Sequence, residues 1–202
     1  MIEILFAGLC YASGIQTAFA NDDASSLRRL VAEAPTRADS LLAQYRLVAM
    51  TGDLDLVDAI PDKLGDGATA RELAWLSALW GFRAQEAGLL KKPKYGGRSI
   101  RLLERAERLA PEDPWVLLVA GQSYLYRPGI LGGGVGTAMK RFEAAKAALE
   151  QDAECGLPPL EASMWIWMCL NREDRAAAAR MKEELLTSDL PPRYRIWLAQ
   201  ES

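Results

Sequence analysis

The chain has 202 residues, half of them apolar and a quarter charged, which suffices for one globular domain or one short repeat array with a proper core. Its 24 Lys and Arg against 27 Asp and Glu leave a net charge of −3, too balanced for a general nucleic-acid or membrane-surface binder. There is no histidine, which removes Ser-His-Asp and Cys-His catalysis, imidazole acid–base chemistry and every His-containing zinc site.

Residues 4–20 are apolar or small and end in Ala18-Phe19-Ala20, just before the polar run Asn21-Asp22-Asp23. That arrangement reads as a secretory signal peptide with an A-x-A processing site, although Glu3 stands where a basic residue is usual. The alternative is an ordinary buried first helix. Export would leave residues 21–202 as one domain with no membrane span, since no later stretch holds about 18 consecutive apolar residues. Cys155 and Cys169 could then bridge in an oxidising compartment. A helix over 158–170 would span about 20 Å, however, which favours two buried thiols.

From residue 24 onward, Ala, Leu, Arg and Glu recur at spacings of three and four, with Gly and Pro between the windows. The pattern predicts helices over 24–34, 37–51, 54–63, 69–90, 98–109, 112–126, 135–151, 158–170, 173–188 and 191–200, and an all-α fold. A period runs through them. Leu117-x-x-Ala120-Gly121-x-x-Tyr124, followed by Ala138-x3-Phe142-x2-Ala145, fits the two halves of one helical-hairpin repeat. Small residues there let two helices approach, and an aromatic fills the hole between them. The same second-half frame recurs as Ser99-x3-Leu103-x2-Ala106, 39 residues earlier, and closes on Pro111. A plain repeat has about 34 residues, and the surplus is visible as the glycine-rich stretch 127–137. More degenerate units surround Ala177-x3-Met181 and Leu41, Leu42, Tyr45 and Ala49.

On these motifs the chain resembles the tetratricopeptide-repeat superfamily. It is similar in particular to exported bacterial members with a Pro-x-x-x-Gly-Gly loop inside one repeat, here Pro128-Gly129-Ile130-Leu131-Gly132-Gly133. The tetratricopeptide component of tripartite ATP-independent periplasmic transporters looks similar in that loop. The resemblance implies a right-handed α-α superhelix of about four hairpins with a leading and a capping helix.

Two successive loops, 90–98 and 127–135, are expected on one edge of such an array. The first carries Lys91, Lys92, Lys94 and Arg98, with Arg101 just beyond and no acid among them, around Tyr95-Gly96-Gly97. Arg127, Gly132 and Gly133 would arrive from the second. Such an edge could attract a carboxylate, a phosphate or an acidic partner surface. The plainer alternative is a solvated loop with glycines needed only for positive φ. Residues 132–136 fit no phosphate-binding fingerprint, and Asp53, Asp55, Asp58 and Asp62 lack the spacing of a calcium loop, so they read as charged helix surface. No metal, cofactor or catalytic residue is expected. A carboxylate pair such as Glu72 with Glu86 is what an enzyme would have to use. Of the six tryptophans, Trp165 and Trp167 point to different helix faces, one packing on a neighbouring repeat or lining a groove.

The expected function is that of a non-catalytic exported scaffold, binding a protein or peptide partner in the periplasm or cell envelope. The alternative is a component of a periplasmic transport system that binds a small anionic solute. Nucleic acid is not an expected partner.

Overall fold

Five of the described α-helices begin where a short polar side chain satisfies a free backbone N–H. Asp23, Thr36, Thr69, Asp113 and Asp174 each accept from the first turn that follows, and Thr69 with Glu72 forms a reciprocal capping box. The computed structural model describes residues 2–151 and 155–200, with side chains from residue 11 onward. Its α-helices are α1 (Ile2–Ala20), α2 (Ala24–Ala32), α3 (Arg37–Thr51), α4 (Asp55–Asp58), α5 (Ala70–Glu86), α6 (Lys92–Leu109), α7 (Pro114–Tyr126), α8 (Val135–Leu149), α9 (Pro159–Glu173), α10 (Arg175–Leu186) and α11 (Pro192–Gln200). A 3-10 turn, Gly129–Leu131, lies between α7 and α8, and there is no strand among the described residues. The protein is all-α.

Consecutive helices pack as hairpins: α5 with α6, α7 with α8, α9 with α10. The first helices of these hairpins, together with α3, run parallel. Arg37 at the start of α3 binds Glu72 at the start of α5 (2.7 Å). Arg71 at the start of α5 binds Asp113 at the start of α7 (2.7 Å), and the Trp75 and Trp115 rings meet edge-on at 5.4 Å. At the far ends, Arg172 of α9 donates to the Leu125 carbonyl of α7. All the hairpin corners that follow these helices therefore emerge at one end of the molecule.

Close packing within hairpins rests on small residues. Ser77 of α5 and Ser99 of α6 exchange hydroxyl-to-carbonyl hydrogen bonds of 2.8 Å each. Phe142 of α8 lies directly against Gly121 of α7, the aromatic-into-hole contact expected from the repeat frame. Trp167 faces its own hairpin, donating to the Ala178 carbonyl at 3.1 Å. Trp165 packs outward on neighbouring elements, stacked on Phe142 at 5.5 Å and edge-on to Trp197 at 4.8 Å.

The array closes on itself. Ile15, Ala18 and Phe19 of α1 are buried, and α1 touches both α3 and α11. Arg193 of α11 binds Asp22 (3.0 Å) and the Ala49 carbonyl (3.0 Å). Residues 11–20, read above as the end of a signal peptide, thus form a packed part of the core. Cys155 and Cys169 are both buried and do not bridge each other; burial pushes the Cys169 thiol up to about 11.

Three boundaries differ from those read in the sequence. The helix expected over 54–63 is the single turn α4, which ends at Asp58 ahead of Pro61, a residue that disfavours helical geometry in the one before it. Helix α5 stops at Glu86, where Ala87 turns extended (ψ 140°). The loop expected over 90–98 is largely the first two turns of α6, started by Pro93. Gly96 and Gly97 in its interior cost about 1 kcal/mol each relative to Ala, and packing of Tyr95 on Trp80 (5.5 Å) with the Ser77–Ser99 pair offsets that.

Candidate functional site

Because α6 starts at Lys92, its cations form a stripe. Lys94, Arg98, Arg101 and Arg105 fall at helical spacing along one face, opposite residues 57–67, the end of α4 and the irregular stretch after it. A shallow, solvent-open cleft runs between the two. Its wider part, about 440 Å³, is lined by Asp62, Lys63, Arg98, Arg101, Leu102 and Arg105. It continues past Asp62 and Arg98 into a narrower part of about 180 Å³, floored by Val57, Ile60, Trp80 and Tyr95.

At the narrow end two guanidinium groups rest on aromatic faces. Arg98 lies 4.2 Å from the centre of the Trp80 ring, and Arg83 lies 4.9 Å from Tyr95 and 5.6 Å from Trp80. Such stacking fixes planar, doubly donating cations against an apolar floor. Each already holds a carboxylate of the chain: Arg83 binds Asp58, and Arg98 binds Asp62 at 2.6 Å. Arg105 approaches Asp66 at 3.8 Å. Lys63, Lys94 and Arg101 have no ion-pair partner among the described residues, so the cleft keeps an excess of three positive charges. The Trp80 indole N–H is buried and makes no hydrogen bond. Asp58 and Asp62, from the acidic run read as plain helix surface, thus stand on the opposite wall of the basic stripe, while Asp53 of the same run pairs with Arg28.

The other residues expected at the edge lie one hairpin away. Arg127 stacks on Tyr124 (4.7 Å) and donates to the Ser123 hydroxyl (2.8 Å). Gly132 takes φ +82°, and a side chain on Gly133 would overlap the Arg127 carbonyl. Both glycines serve to close the corner between α7 and α8. Lys94 and Arg98 belong to the α6 stripe, Tyr95 to the floor beneath it and Lys92 to the first turn of α6 outside the cleft, while Arg127, Gly132 and Gly133 belong to the next corner at the same end of the molecule.

A second charged constellation was not read from the sequence. Arg46 of α3 and Glu161 of α9 form a two-pronged pair (2.6 and 2.5 Å), both side chains almost fully buried. Gln16 accepts from Arg46 Nε at 3.0 Å, and the guanidinium lies 4.3 Å from Phe19 and 4.8 Å from Trp115. Burial pushes the neighbouring Tyr45 hydroxyl up to about 12. The available signal was one arginine inside the apolar window Tyr45-Arg46-Leu47-Val48. This pair joins the first and last parts of the array from inside and offers no surface to a ligand. Glu72 and Glu86, an example of the carboxylate pair an enzyme would need, sit at opposite ends of α5, with Glu72 held by Arg37. No cluster of metal-ligating side chains occurs among the described residues.

Compared with protein-family models, curated proteins and solved structures, the chain matches none of them.

Proposed function

We propose that the protein is a non-catalytic, tetratricopeptide-like scaffold of the bacterial cell envelope that docks an acidic segment of a protein partner along α6. The observation that carries this reading is the cleft between α6 and residues 57–67, with its three unmatched cations. Parallel first helices and the Gly121–Phe142 contact support the repeat reading. An elongated, open, positively charged groove suits an extended acidic chain, steering encounter and fixing register more than it supplies raw affinity. The resident Asp58 and Asp62, 62% and 72% exposed, mark where incoming carboxylates would exchange onto Arg83 and Arg98.

A glutamate-rich fluorescent peptide and its glutamine counterpart test the reading by anisotropy. The glutamate peptide binds more tightly, weakens with salt, and loses most of its binding to the Arg101→Glu/Arg105→Glu variant. Equal binding of both peptides would overturn the proposal. The unpartnered Trp80 indole favours a second reading, in which the narrow end takes a small dicarboxylate or phosphate. Thermal stabilisation by such acids, abolished by Arg98→Gln, would support it, and a flat response across acids would remove it.

A further inference from the structure

Seven large apolar side chains stand exposed among the described residues, and five of them gather at one end of the molecule. Leu89 and Leu90, at the corner between α5 and α6, are 90% and 98% exposed. Ile130 and Leu131, at the corner between α7 and α8, are 95% and 54% exposed, and Tyr126 beside them is 45% exposed. Because α5 and α7 run parallel, these two corners emerge side by side at the same end. They are built to project. Lys91 and Lys92 both donate backbone N–H groups to the Gly88 carbonyl, which turns Leu89 and Leu90 outward, and the 3-10 turn Gly129–Leu131 does the same for Ile130.

Their surroundings are cationic. Lys91, Lys92 and Lys94 follow the first corner and are exposed, and no acid occurs between residues 87 and 103 or between 127 and 142. The carboxylates at this end belong to helix ends and flanking corners. Glu86 closes α5, Asp58 and Asp62 are held by Arg83 and Arg98, Asp53 pairs with Arg28, and Glu173 and Asp174 sit at the next corner, where Asp174 caps α10. Aliphatic side chains that protrude almost fully into solvent do not match a preformed protein pocket. They match a soft apolar phase whose surface is negative.

We propose that this end of the molecule docks on anionic lipid bilayers, with Leu89, Leu90, Ile130 and Leu131 entering the interface and Lys91, Lys92 and Lys94 meeting the headgroups. No described helix is long and apolar enough to cross a membrane, so the association is peripheral and reversible. It shares only Lys94 with the α6 cleft, and the exposed side chains Leu89, Leu90, Ile130 and Leu131 that carry it lie outside that cleft.

Co-sedimentation of the full chain with two vesicle preparations tests this proposal. One is phosphatidylcholine alone, the other equal parts phosphatidylcholine and phosphatidylglycerol. Binding is expected only to the second. Leu89→Ser/Leu90→Ser and Ile130→Ser should each lower partitioning about tenfold or more per side chain removed, and each lysine changed to Gln about fivefold. All these positions are exposed, so the variants keep the wild-type melting curve. Failure to bind either vesicle would overturn the proposal. So would binding to anionic vesicles that survives loss of the leucines and Ile130, since that is charge adhesion without insertion.

Discussion

Arg46 and Glu161 lie 115 residues apart in the chain and face one another inside it, sharing two hydrogen bonds with both side chains at most 2% exposed. Two charges taken out of water are tolerable only while each answers the other. Arg46→Met or Glu161→Gln alone leaves an unanswered group in the core and should cost about 3–5 kcal/mol in urea unfolding. The double variant Arg46→Met/Glu161→Leu removes both charges and should be less damaging than either single change. Single variants that each cost under about 1 kcal/mol would show that water reaches the pair.

Gly121 is a packing glycine. A side chain there would overlap the Phe142 ring, which is fully buried and backed by Trp165 at 5.5 Å, so it has nowhere to retreat. Gly121→Ala should therefore destabilise by about 1–3 kcal/mol. Gly136→Ala in α8 meets open space and provides the control, with stability unchanged or slightly raised in the same denaturant series.

That glycine marks what the sequence makes legible. Local signals suffice wherever an element is decided by its own residues: the three-and-four spacing of α3 or α7, the Pro114 start, the Gly52 stop, the Phe142 frame. They fail where distant residues decide. Lys-Pro-Lys-Tyr-Gly-Gly-Arg carries breaker chemistry and reads as a loop, yet Trp80 and Ser77 on the preceding helix hold it helical through Tyr95 and Ser99. The cleft was half legible for the same reason. Four of its cations, Lys94, Arg98, Arg101 and Arg105, stand close together on α6, while Asp58 and Asp62 belong to a run tens of residues earlier that only the fold brings opposite them. Nothing local in Pro-Leu-Glu-Ala announces that Glu161 answers Arg46.

Acid should loosen the N-terminal half first. Ser26 and Ser25 hydrogen bonds hold the Asp23 carboxyl down at about 2. Burial pushes the Glu72 carboxyl up, but hydrogen bonds from Arg37 and Thr69 outweigh it and leave the group below its ordinary value. Both groups carry depressed values in the folded state. Their contribution is present above the unfolded values, about 4, and is lost as pH falls through the folded ones. Melting temperature measured from pH 7 downward should fall below about pH 4. Asp23→Asn and Glu72→Gln should each flatten that fall while lowering the neutral-pH plateau. Parallel curves for wild type and both variants would assign the acid limb to other carboxylates.

Removal of the first twenty residues strips one wall from the central pair. Ile15 and Phe19 are 0% and 4% exposed, and their loss forfeits about 1.5–3 kcal/mol each. Gln16 is the partner of Arg46 Nε, a hydrogen bond to a charged group worth about 1.5–3 kcal/mol. Tyr11 also donates to the Leu30 carbonyl at the end of α2. A chain beginning at Asn21 should therefore melt about 10 °C or more below the full chain and bind dyes that report exposed apolar surface. Processing after Ala20 and folding as described make opposite demands on the same residues. Mass measurement of the protein from its native cell, set beside the two melting curves, decides between them: a native N-terminus at Asn21 with undiminished stability would mean that α1 is not part of the working core.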